Sequence, residues 1–140
     1  PRMLILFNIL VVNNDGSLMS VALNACVLAL LDAAVPMHYV PAAVTISTFS
    51  CTTADKTTSL ILDPTQDEEM ESTANSSFIL HPPGVVGACS DEMCVISSES
   101  TGIVSMASYK MVMALAGEAC LSIHGTMKKF MEAKYSDITV

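Results

Sequence analysis

Apolar residues fill Met3 to Val12 (MLILFNILVV) with one interruption, Asn8, and the run stops at Asn13-Asn14-Asp15-Gly16. A short apolar stretch that ends in a turn signal predicts a central strand buried on both faces. Leu18 to Ala34 is rich in Ala and Leu, with Ser20, Asn24 and Asp32 as its polar breaks, and Ser17 stands where an N-cap belongs. This predicts a helix that is apolar nearly all round and packed on more than one side. Val35-Pro36 ends it. Alternation from Val40 to Ser50 predicts a second strand, and Ser59 to Leu62 a third, after a Thr-rich turn from Cys51 to Thr58. Asp63-Pro64-Thr65 breaks that pattern, and the acidic stretch with Asp67, Glu68, Glu69 and Glu71 reads as a solvated loop. Ser76 to His81, Gly84 to Cys89 and Met93 to Ser97 read as three short strands of a meander, set apart by Pro82-Pro83-Gly84 and Ser90-Asp91-Glu92. Between Ser105 and Lys134, Met106, Met111, Leu115, Ile123, Met127 and Phe130 recur at helical spacing, and Lys128, Lys129 and Lys134 fall where they complement the helix dipole. The order β-α-β-β-β-β-β-α predicts an α/β (α+β) architecture in which helices cover one face of a mixed sheet.

Composition narrows the picture. With 51% hydrophobic and 14% charged residues in 140 positions, the chain is a single folded domain rather than a disordered one. Six Lys and Arg against 14 Asp and Glu give a net charge of −8, the wrong sign for a stand-alone nucleic-acid binder. The chain by itself is therefore expected to bind single-stranded RNA weakly or not at all. Neither apolar run is long enough to cross a bilayer, and the polar turn between them could not lie at mid-membrane. The five cysteines are odd in number and include no C-x-x-C pair, so no disulfide framework is expected. Cys26 and Cys120 sit in helical apolar patterns as small hydrophobes, while Cys89 and Cys94 lack the two further ligands of a zinc site. His38, His81 and His124 form no spaced pair. Free thiols fit a reducing cytosolic or nuclear compartment. Because the chain opens on Pro1-Arg2 without Met, sequence upstream is expected to be missing.

No dinucleotide fingerprint, P-loop, nucleophile elbow or zincin helix is present. One long segment does carry a signature. Asn14-Asp15-Gly16, followed by Ser20-Val21-Ala22-Leu23-Asn24-Ala25-Cys26 and on through Leu30-Leu31-Asp32-Ala33-Ala34-Val35-Pro36-Met37, resembles the RNase PH family. In that family a strand ends in an Asp-Gly turn and a helix with the pattern N-A-(A/C) and D-A-G-(V/I)-P-M follows. Leu60-Ile61-Leu62-Asp63-Pro64-Thr65, with Glu68 and Glu69 after it, resembles the start of the family's acidic motif and in particular its exosome branch. The resemblance covers Ile5 to Leu80. It implies an RNase PH-like fold of the ribosomal protein S5 domain 2-like type, of which residues 1–140 would be the C-terminal, larger part.

The resemblance also implies chemistry and company. Family members use inorganic phosphate to cleave the 3′-terminal phosphodiester of RNA. Active members follow the Asp-Gly turn with G-T-R-T, which surrounds phosphate with backbone N–H groups, a hydroxyl and an Arg fork at a helix N-terminus. Here Ser17, Leu18, Met19 and Ser20 take those positions, so the Thr hydroxyl and the Arg fork are both gone. In the acidic motif D-x-x-x-x-E-D-x-x-x-x-x-D, the last two Asp residues bind Mg²⁺. Counting from Asp63 puts Glu68 on the Glu, Glu69 on the first metal position and the neutral Asn75 on the second. Two losses together imply a chain with no catalytic, cofactor or metal residues of its own. The expected role is a structural subunit of a eukaryotic RNA exosome core. It would lie in a six-membered ring of RNase PH-like subunits under S1 and KH cap proteins, with RNA in the channel and an associated hydrolytic nuclease. Such a subunit is expected in nucleus, nucleolus and cytoplasm. The alternative is an active phosphorolytic 3′-to-5′ exoribonuclease working as a homo-oligomer.

Overall fold

The computed structural model describes residues 4–50, 58–83 and 93–136. The elements run α1 (Leu18–Asp32), β1 (Ala42–Ser50), β2 (Thr58–Leu62), α2 (Gln66–Glu71), β3 (Ala74–His81), β4 (Cys94–Gly102) and α3 (Met106–Ser136). The four strands form one sheet in the order β2-β1-β3-β4, and all three ladders are antiparallel. β1 is rich in β-branched residues and lies between two partners, so Ala42 to Thr48 are all buried.

Alternation along the strands assigns the two faces. On one, Ala42, Val44 and Ile46 lie opposite Leu80, Phe78 and Ser76, and this face meets Val112, Ala116, Ala119 and Cys120 of α3. Small residues on α3 let the helix axis come close, and Phe78 stacks at a tilt on Tyr109 with ring centroids 5.8 Å apart. On the other, Thr45 shares hydrogen bonds with Ser20 of α1 (2.6 Å) and Ser77 of β3 (3.0 Å). The helices thus flank both faces of the sheet instead of covering one, which is why successive residues from Ala42 to Thr48 are buried on either side.

Asn24 is the clip between α1 and the sheet. Its Nδ2 donates to the Ala43 carbonyl (2.9 Å) and its Oδ1 accepts from the Ala43 N–H (2.8 Å). β2 begins to pair with β1 only at Ile46↔Leu62, so Ala43 lies on a stretch of free strand edge. The Asn amide does there what a neighbouring strand would do. At the far end, Asp32 accepts from both Lys134 and Tyr135 and ties the C-termini of α1 and α3 together. These two bonds hold the Asp32 carboxyl below its usual range, with the Lys134 bond the larger cause.

Four expectations need correction. Leu4 to Val12 form no regular structure, and their side chains are exposed, Leu4 at 90% and Val12 at 91%. Apolar character does not make a strand by itself: a ladder needs a second edge, and β2 and β4, the edges of the described sheet, do not receive this run. The acidic stretch is not a loop but the short helix α2, opened by a capping box. Thr65 Oγ1 accepts from Glu68 N, and Glu68 Oε2 accepts from Thr65 N at 2.8 Å. The final methionines divide, with Met127 buried but Met106 and Met111 exposed. β4 reaches Gly102, beyond the expected Ser97, in ladder with β3. The expected turn over residues 51–57 and strand over 84–89 lie outside the described residues.

Among the described cysteines, Cys26 is half-buried, Cys94 exposed and Cys120 buried. Burial pushes the Cys120 thiol up to about 11. His38 is exposed, whereas His81 is buried with its ring edge-on to Tyr39. Desolvation, helped by the charges of His81 and Lys128, lowers the pKa of His124. No described helix is long and apolar enough to cross a membrane.

Candidate functional site

The two halves of the motif meet. Asn14 Oδ1 accepts from Gly16 N (3.4 Å) and tightens the turn before α1. Gly16 has φ +96°, and a Cβ there would stand 2.2 Å from the Pro64 carbonyl oxygen. Only glycine lets this turn lie flush on the Pro64–Gln66 backbone. Asp15 O then accepts from Gln66 N (3.1 Å), and Ser17 Oγ donates to Pro64 O (3.2 Å). Ser17 adopts a left-handed conformation (φ 49°) and spends its hydroxyl on Pro64, so it makes no side-chain cap.

The cap comes from α2. Ser17 N donates to Glu69 Oε1 at 2.8 Å, so a carboxylate of the chain itself sits at the N-terminus of α1, where positive helix dipole and free N–H groups attract anions. Leu18 and Met19, in the first turn, are exposed, Met19 at 56%, and Ser20 is buried against Thr45. Neither exposed side chain offers a donor to an oxyanion.

Asn75 lies next to this group with both ends of its amide engaged. Its Oδ1 accepts from Ser72 Oγ (2.8 Å) and from Ser47 Oγ, and its Nδ2 donates to the Glu69 carbonyl (3.0 Å). The resemblance would place Mg²⁺ between Glu69 and Asn75, and these residues do not fit it. Asn75 carries no charge, its amide is turned to hydroxyl and carbonyl partners, and one Glu69 oxygen is held by an N–H. No cluster of three or more His, Cys, Asp or Glu side chains suited to a metal occurs among the described residues. The structure brings together Ser17, Glu69 and Asn75; it leaves Leu18 and Met19 on the surface beside them. Sequence reasoning did not foresee Glu69 as the anion at α1, although Thr65-x-x-Glu68 was the signal for the helix that delivers it.

The antiparallel sheet, the Asp-Gly turn at the head of α1 and the acidic segment docked against it define an RNase PH-type domain. A family model described as "3' exoribonuclease family, domain 2" matches residues 39–119, and the chain belongs to that family. Its similarity within the family is to Rrp46-type members. The exosome complex exonuclease RRP46 homolog of Arabidopsis thaliana is 30% identical over 128 residues, which cover 85% of this chain and 51% of that protein. Among solved structures, rice (Oryza sativa) Rrp46 superposes with a TM-score of 0.70 at 25% identity over 86% of this chain and 51% of its own. The C. elegans cell-death-related nuclease 5 gives a TM-score of 0.69 at 27% identity, covering 87% and 60%. The chain thus spans about half the length of the curated relative it matches.

Proposed function

We propose that the chain is the C-terminal, larger part of an Rrp46-type subunit of an RNA exosome ring, and that this subunit is architectural, not catalytic. The observation that carries the reading is the Ser17–Glu69 bond: the N–H that would cradle an attacking phosphate is held by an internal carboxylate. Phosphate entering there would have to displace a like charge, and the family's Arg position is taken by Met19, which offers no cation to assist it. The substitutions at Leu18, Met19 and Asn75 support the same reading. The name of the Arabidopsis relative and the superposition on rice Rrp46 support membership of an exosome.

In such a subunit the exposed run Leu4 to Val12 is covered by the N-terminal part of the same protein, since a patch this apolar is an interface in a stable assembly. RNase PH-like neighbours complete the ring, S1 and KH proteins cap it, and RNA passes through to a hydrolytic nuclease. The subunit then serves RNA maturation and decay in nucleus, nucleolus and cytoplasm.

Two measurements test this on the full-length protein. Recovery through a tag should yield an assembly with other RNase PH-like chains and cap proteins, by native mass and subunit identity. The purified protein should release no nucleoside diphosphates from poly(A) with inorganic phosphate and Mg²⁺. Phosphate-dependent release by a ring of identical copies would replace the architectural reading with that of an active phosphorolytic exoribonuclease.

A further inference from the structure

Exposure alternates along the run from Leu4 to Val12. Leu4, Leu6, Leu10 and Val12 are 74–91% exposed, whereas Ile5, Phe7, Ile9 and Val11 are 44–58% exposed. A two-residue period is that of an extended strand with one face turned outward and the other partly sheltered. No main-chain hydrogen bond joins this run to another described residue, so its N–H and C=O groups are open to a partner strand. Charges, Pro and Gly, the residues that keep a free strand from pairing, are absent from it.

The run is also matched to itself. Asn8, its single polar residue, stands at its centre. When two copies lie antiparallel about that residue, Leu4 of one faces Val12 of the other, Leu6 faces Leu10, and Asn8 faces Asn8. Side chains directly opposite in such a pair have Cβ atoms about 4.5–5.5 Å apart, close enough for two amides to exchange hydrogen bonds. Every other antiparallel register sets Asn8 against an apolar side chain and leaves its amide without that partner.

We propose that the 140-residue chain pairs with a second copy of itself through Leu4 to Val12, as an antiparallel ladder centred on Asn8 in a two-fold dimer. Backbone hydrogen bonds and apolar contact hold the two strands, and the amide pair fixes the register, as a lone Asn does between apolar helices. The N-terminal part of an exosome subunit and a second copy would compete for the same run. The dimer is independent of the architectural reading, because it uses none of Ser17, Glu69 or Asn75.

Sedimentation velocity of the 140-residue chain at micromolar concentration is expected to show a monomer–dimer equilibrium. Asn8 is exposed, so Asn8→Asp leaves the core intact while setting two carboxylates opposite one another. Dimerisation should then weaken about 10-fold or more at neutral pH and recover as pH falls through the carboxyl range. Under mild oxidation Asn8→Cys should cross-link to its own copy beyond the background of the parent chain, whereas Leu6→Cys should do so only when mixed with Leu10→Cys. A monomer at every concentration, a dimer indifferent to Asn8→Asp, self-cross-linking of Leu6→Cys as ready as that of Asn8→Cys, or growth into open-ended fibres would each overturn the proposal.

Discussion

Replacing Asn24 with Ala removes both hydrogen bonds that α1 makes to the Ala43 backbone, at 2.8 and 2.9 Å. Ala43 is 3% exposed, and β2 does not pair beside it, so no other strand takes over its N–H and C=O. A net hydrogen bond contributes roughly 1 kcal/mol, and an orphaned buried group costs roughly 1–3 kcal/mol. The adjoining cleft of about 310 Å³, lined by Asn24, Ala43 and Thr45, gives water a route to the freed groups and keeps the cost at the lower end. We expect Asn24→Ala to lose about 2–3 kcal/mol. Urea denaturation followed by circular dichroism would read this as a lower midpoint with an unchanged slope. Asn24→Asp sharpens the test. The introduced carboxylate can still accept from Ala43 N but faces the Ala43 carbonyl with a negative charge, so its pKa rises on folding. Its destabilising effect should be small below the unfolded carboxyl pKa, where the protonated form can donate to Ala43 O, and should grow as pH rises. A loss below about 0.5 kcal/mol for Asn24→Ala, or the same loss for Asn24→Asp at every pH, would refute the clip.

Three other outcomes are expected. Gly16→Ala should cost about 3 kcal/mol or more in the same denaturation assay, since the new Cβ would meet the Pro64 carbonyl at a positive φ. Glu69→Ala should cost about 1.5–3 kcal/mol by orphaning the Ser17 N–H, and Glu69→Gln, which keeps an acceptor, should cost less. The Asp32 carboxyl, titrated by NMR, should show a pKa below the usual Asp range that moves up in Lys134→Ala. The stabilisation from this pair is present above the unfolded Asp pKa and is lost as pH falls through the lower folded one.

Periodicity and turn chemistry carry much of this fold. α1 ends at Asp32, short of the expected Pro36, because Ala34 turns left-handed (φ 52°) and Val35 N returns to the Leu30 carbonyl, while the strands at Ala42–Ser50 and Thr58–Leu62 follow β-branched runs. The candidate site was legible as a pattern, since the motif letters at Ser17 to Ser20, Glu69 and Asn75 carried their own departures. Local signals do not report partners, and that is where sequence fell short. Met3 to Val12 has the letters of a buried strand, but a ladder and a covering layer come from elsewhere in space. Asp67 to Glu71 has the letters of a solvated loop, but Thr65 and Glu68 close a capping box that nucleates a helix. Only the packed structure brings Glu69 to Ser17, 52 positions apart in the chain. Backbone preference acts over a few residues and is written in composition and spacing. Which N–H receives a carboxylate depends on contacts between distant segments that exist only once the chain has folded.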